Sequence, residues 1–231
     1  MNDPVDSLRQ IARALGPLLN EVVFVGGAAA PLVISDPGSE GIRPTDDIDV
    51  IVEAESRVDY ARLEARLRSL GFRHDTSEGA PICRFVYDSI PVDVMPTNPE
   101  VLGFSNRWYP YALASKQRVS LPGGPEVRVA NPVAFIATKL EAFQSPGREH
   151  AGDVLASRDL EDIVTVLDGS PSFAEAFAGA PDDVRAYLRK SFAALLEDET
   201  FIVSVEGLVP PGPTRVERAR RLIVLLRELV T

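Results

Sequence analysis

Four short apolar runs set what this chain can fold into. Val22–Val25, Ile48–Val52, Ile82–Tyr87 and Ile90–Met95 span four to six residues each, too short for buried helices and suited to strands inside a sheet. Between them the spacing changes to a helical one. Leu8, Ile11, Ala12, Leu15 and Leu18 recur at helical intervals before the first run, and Leu63, Leu67 and Leu70 do so between Ser56 and Gly71. Gly26-Gly27 closes the first run ahead of a short helix over 28–34, and Asp88-Ser89 reads as the hairpin turn joining the last two. The order α-β-α-β-α-β-β predicts an α+β fold with a mixed sheet flanked by helices. Arg118–Leu121 and Val127–Val129 are expected to form a further hairpin around Pro122-Gly123-Gly124. From Asn131-Pro132 onward the chain reads as helical, with Ser157 and Ser172 as helix caps and a last helix over Arg215–Leu229. The expected division is an α/β domain over 1–130 and a mostly helical domain over 131–231.

Composition narrows the chemistry. The 231 residues are 45% hydrophobic and 25% charged, values of an ordinary globular chain. One cysteine, Cys83, and two histidines, His74 and His150, leave no internal disulfide and no structural zinc site. No apolar run approaches the roughly 18 residues of a membrane span, and Met1-Asn2-Asp3 lacks the basic start of a secretory signal, so a cytoplasmic protein is expected. Lys and Arg number 24 against 34 Asp and Glu, a formal charge of −10. That balance argues against a broad phosphate-binding surface. The first hundred residues hold 9 basic and 17 acidic side chains, a concentration of acid that a bound cation would offset.

The sharpest local feature is Asp47-Ile48-Asp49. On a strand, residues two apart share a face, so both carboxylates project together while Ile48 and Val50 turn into apolar packing. Two readings stand: solvated aspartates at a loop–strand boundary, or a pair held by a hard cation such as Mg²⁺. Asp93, alone in the apolar run Ile90-Pro91-Val92-Asp93-Val94-Met95, is either on the exposed face of an edge strand or a third carboxylate of the same site. If the three converge without metal they repel one another, and neutralising Asp47 should stabilise the protein. Gly26-Gly27 lets backbone N–H groups approach an anion at a helix start, or is an ordinary turn.

Together, strand, Gly-Gly, helix, Asp-x-Asp, helix and strand with Asp resemble the nucleotidyltransferase superfamily of the polymerase-β-like fold. Gly26-Gly27-Ala28-Ala29-Ala30 and Arg43-Pro44-Thr45-Asp46-Asp47-Ile48-Asp49 are most similar to its AbiEii-like branch. Downstream, Lys139 in Ala137-Thr138-Lys139-Leu140-Glu141-Ala142 and Asp159 in Arg158-Asp159-Leu160-Glu161-Asp162-Ile163 match further positions of that branch. The resemblance implies transfer of a nucleoside monophosphate from an NTP to an acceptor hydroxyl, with release of pyrophosphate. It implies two Mg²⁺ ions on Asp47, Asp49 and Asp93, and nucleotide binding by Gly26, Gly27, Lys139 and Arg43. Asp159 would orient a hydroxyl or serve as base. Acceptors implied across the superfamily are a small molecule, tRNA or a protein, and the toxin branch adds an antitoxin partner. The alternatives are a toxin modifying tRNA, or a catalytically silent nucleotide-binding module of the same fold.

Other features read as structural. Cys83 reads as a small buried hydrophobe, Trp108-Tyr109-Pro110-Tyr111 as a packed connection, and the arginines of 215–227 as a solvated helix face or one docked to the acidic N-terminal half.

Overall fold

The computed structural model describes residues 4–35, 45–146 and 151–231. They form two compact units, 4–32 with 45–131, and 33–35 with 132–146 and 151–231. Among the described residues no helix is long and apolar enough to cross a membrane.

The first unit opens with α1 (Pro4–Leu15), which tightens into a 3-10 turn over Gly16–Asn20. Strand β1 (Val22–Val25) runs into α2 (Gly26–Val33), and β2 (Ile48–Val52) leads to α3 (Arg57–Ser69). Ser56 caps α3 by accepting the Asp59 N–H at 3.2 Å, which satisfies one of the helix's orphan donors. Then come β3 (Arg73–His74), β4 (Arg84–Tyr87) and β5 (Ile90–Pro96). Two short helices, α4 (Pro99–Leu102) and α5 (Tyr109–Ala114), precede the hairpin of β6 (Gln117–Ser120) and β7 (Glu126–Val129).

The seven strands make one mixed sheet in the order β3-β4-β5-β2-β1-β7-β6. β2 lies at its centre, antiparallel to β1 and parallel to β5. Asp88 (φ 46°) and Ser89 (φ 68°) both take left-handed backbone, the conformation that a two-residue turn of matching twist requires. The expected strand over Ile82–Tyr87 begins only at Arg84, because the Arg84 N–H closes a turn onto the Pro81 carbonyl at 2.9 Å. One face of the sheet is dry: Phe24, Val50 and Val92 pack with Leu8 and Ile11 of α1 and Leu67 of α3 in a single cluster. Alternation along the strands then sends Asp49 and Asp93 to the other face.

The second unit is helical: α6 (Pro132–Gln144), α7 (Arg158–Asp168), α8 (Phe173–Ala178), α9 (Asp182–Glu197), α10 (Glu199–Leu208) and α11 (Arg215–Val230). α6 is buried nearly all round, from Val133 and Phe135 to Leu140 and Phe143, so it forms the unit's centre. Ser157 caps α7 by accepting the Leu160 N–H at 3.3 Å. Ser172 precedes α8 without using its hydroxyl as a cap. Arg218 of α11 does not belong to a solvated face. Its guanidinium engages the buried Asp168 carboxylate of α7, with Nε 3.0 Å from Oδ2.

Candidate active site

Pairing across the sheet places the acids. Asp49 on β2 is the register partner of Val25 on β1 and of Asp93 on β5. Asp93 is in turn the register partner of Arg84 on β4. Register partners share a face, so Asp49, Asp93 and Arg84 form a row across the sheet, just where β1 ends and Gly26 begins. Asp47 precedes Asp49 by two and joins the row from the start of the strand.

Gly26 adopts φ +69°, and a β-carbon there would sit 1.8 Å from Asp49 Oδ2. Two independent demands therefore select glycine: a left-handed backbone and contact with a carboxylate at the same point. Gly27 follows in the first turn of α2.

Arg84 holds the acids together. Its Nε donates to Asp93 Oδ1 at 2.7 Å, and its Nη2 donates to Asp93 Oδ2 at 2.8 Å and to Asp47 Oδ2 at 2.9 Å. The hydrogen bond to Asp93, with the charges of Asp93, Asp47 and Asp49, lifts the guanidinium above its usual range despite partial burial. Thr45 adds a hydroxyl donor to Asp47 Oδ1 at 3.1 Å. Cys83 lies beside the row. Burial, followed by the charge of Asp93, pushes its thiol up to about 12, which keeps it protonated and a poor nucleophile near neutral pH.

Among the described residues, no group of three or more His, Cys, Asp or Glu side chains is arranged to hold a metal ion as it stands. The donor chemistry nonetheless fits one. Three carboxylates on one face are the hard oxygen set that Mg²⁺ takes, and two of them already converge on a single positive group, the Arg84 guanidinium.

The helical unit carries a second cluster. Lys139 on α6 has its Nζ 2.9 Å from Asp159 Oδ1 and 2.7 Å from Asp162 Oδ2, both on α7. Asp159 and Asp162 are three residues apart and so lie on one helix face. Burial works against the ammonium, but the charges of Asp162 and Asp159 outweigh it and hold Lys139 above its usual value. Neither Lys139 nor Asp159 is a solvated surface charge.

The structure thus brings Asp47, Asp49, Asp93, Gly26 and Gly27 together in the first unit, and Lys139 with Asp159 in the second. Arg43 and His150 lie outside the described residues. Sequence reasoning passed over Arg84 and Asp162. Asp162 was visible as the second acid of Asp-x-x-Asp, whereas Arg84 carried no signal beyond a charge in a strand.

A family model described as nucleotidyl transferase AbiEii toxin, type IV TA system, matches residues 10–222. No curated protein matches the chain. Among solved structures, the antibiotic-resistance factor ANT(2'')-Ia, whose solution structure is described as revealing substrate-regulated conformation dynamics, is similar at 19% sequence identity and a TM-score of 0.48. The match covers 83% of this chain and 94% of that one.

Proposed function

The chain belongs to the AbiEii nucleotidyltransferase toxin family, and from that premise we propose that it moves a nucleoside monophosphate from an NTP to an acceptor hydroxyl. The acceptor oxygen bonds to the α-phosphorus, the bond from that phosphorus to the bridging oxygen breaks, and pyrophosphate leaves. The observation that carries this reading is the row of Asp49 and Asp93 in register, with Asp47 beside it and Gly26 pressed against Asp49.

Asp47, Asp49 and Asp93 would hold two Mg²⁺ ions. When bound, these offset the charge of the triphosphate and favour an ionised acceptor oxygen. Gly26 and Gly27 present a backbone without side chains where the phosphates need N–H donors. Thr45 fixes the orientation of Asp47 through its hydroxyl. In the helical unit, Lys139 supplies the fixed positive charge proposed for nucleotide binding, and Asp159 and Asp162 keep it ionised and in place. Asp159 keeps its proposed role toward the acceptor hydroxyl. Catalysis of this kind rests on positioning and electrostatics more than on covalent chemistry.

We assign the chain to the cytoplasm, with NTP as substrate and an antitoxin protein as its partner. As a toxin the enzyme would take tRNA as acceptor, while the acidity of the first hundred residues favours an acceptor other than RNA. Incubation with each of the four labelled NTPs, Mg²⁺ and a cell extract tests the whole reading at once. The expected result is one labelled product class that disappears in Asp47→Asn and Asp49→Asn. Absence of product with every NTP, or equal product in the variants, overturns it.

A further inference from the structure

Part of the negative charge on the carboxylates that would hold metal is already offset from within the chain. Arg84 reaches Asp93 with two nitrogens and Asp47 with one, all between 2.7 and 2.9 Å. The contact is built in rather than incidental. Arg84 is the register partner of Asp93 on the adjoining strand, and the side chains of Arg84 and Asp93 are only 23% and 11% exposed. A planar guanidinium is the one side chain that can fork onto one carboxylate and still reach a second. It occupies Asp93 Oδ1 and Oδ2 and Asp47 Oδ2, carboxylate oxygens on which a divalent cation held by these acids would draw.

We infer that Arg84 is an internal counter-cation that occupies the position between Asp47 and Asp93 in the metal-free protein and must leave it when a divalent cation binds. This rests on the metal-binding reading of the acids and goes beyond it, because it assigns a role to a residue outside the acid set. Metal binding is then an exchange of one cation for another. The guanidinium's attraction to the two carboxylates subtracts from the metal's affinity, and the metal-free site carries less uncompensated negative charge than three bare carboxylates would. Arg84 therefore raises the metal concentration at which the site fills. It also lets the fold tolerate the acids when no metal is present.

Mn²⁺ titration followed by electron paramagnetic resonance tests this without any turnover, on wild type, Arg84→Gln and Arg84→Lys. The amide of Arg84→Gln keeps polarity but not charge, so this variant should bind Mn²⁺ at least tenfold more tightly than wild type. Its metal-free melting temperature should fall, and Mn²⁺ should raise it by more than in wild type. Lysine keeps the charge but loses the fork, so Arg84→Lys should fall between the two, and it decides the matter if Arg84→Gln does not fold. Affinity equal to or weaker than wild type in the folded variants overturns the role of Arg84 while leaving the metal site intact. If wild type and variants all fail to bind Mn²⁺, the metal-binding reading falls and the inference with it.

Discussion

A β-carbon on Gly26 would lie 1.8 Å from Asp49 Oδ2, well inside any contact distance. The turn after β1 and the carboxylate on β2 are therefore fitted to each other, and neither can change alone. Gly26→Ala is expected to lose about 1–2 kcal/mol from the left-handed backbone alone, and more from displacing Asp49. Transfer should fall at least a hundredfold. Gly16→Ala is the control: Gly16 also has positive φ (+50°), but nothing lies within 4 Å of its added β-carbon. It should show the backbone cost in a denaturant titration with transfer unchanged. Similar activity losses in both variants would show that the contact with Asp49 does not matter.

Arg84 reverses an expectation about charge. Three bare carboxylates in a row would repel, and neutralising one would stabilise the protein. With the guanidinium in place, Asp93→Asn breaks a forked, charge-assisted pair at an 11% exposed side chain. It should cost about 1.5–3 kcal/mol in the absence of metal. Asp47 makes one contact to Arg84 from a 35% exposed side chain, so Asp47→Asn should change stability by less than about 1 kcal/mol. Metal-free thermal melts in chelator check both, and a clear gain in either variant contradicts the bridge.

Lys139 with Asp159 and Asp162 makes a buried cluster whose members depend on one another. Lys139→Ala leaves two carboxylates facing each other and should cost about 3–5 kcal/mol. Replacing all three, as Lys139→Met with Asp159→Leu and Asp162→Leu, should recover most of that loss, because an apolar cluster needs no counter-charge. The recovered triple variant separates folding from function: it should fold and fail to transfer. Transfer at the wild-type rate would reduce the cluster to a structural one.

The same cluster fixes a pH dependence. Lys139 is held above its ordinary value by Asp162 and Asp159, so the folded state binds that proton more tightly than the unfolded state does. Its contribution is fully present below the unfolded lysine value, near ~10.4, and is lost as pH rises beyond it toward the folded value. Chemical denaturation should show this contribution unchanged from neutral pH to about 10 and falling above that. Relative to the apolar triple variant, a loss between pH 7 and 9 would contradict the assignment.

Cys83 offers a test of burial at the site. Its thiol is 3% exposed and pushed up to about 12. A thiol-reactive disulfide reagent at pH 8 should therefore label the folded protein no faster than the protein unfolds, and label it at once in denaturant. Rapid labelling of the folded protein would place Cys83 at the surface.

What the sequence made visible divides along physical lines. The apolar runs, the Asp88-Ser89 turn and the Ser56 and Ser157 caps depend on residues within a few positions of one another, and they were legible. The two-residue β3, Arg73–His74, was not, because two residues are too few to show alternation. At the site, Asp47, Asp49 and Asp93 stood out as acids in apolar company. Arg84 did not, since its role depends on which strand lies beside β5 and in what register, a pairing that no local pattern encodes. Asp162 was passed over for a related reason. Its partner Lys139 lies 23 positions away on another helix, and only packing of α6 on α7 brings them to 2.7 Å.

β2 and β5 each have strands on both sides, and this bears on how the site can move. Backbone amides shared with two neighbours open only when much of the sheet opens, so Asp49 and Asp93 stand on a lattice that does not breathe locally. A change in how these two acids face each other then falls to their side-chain torsions, at the speed of rotamer changes.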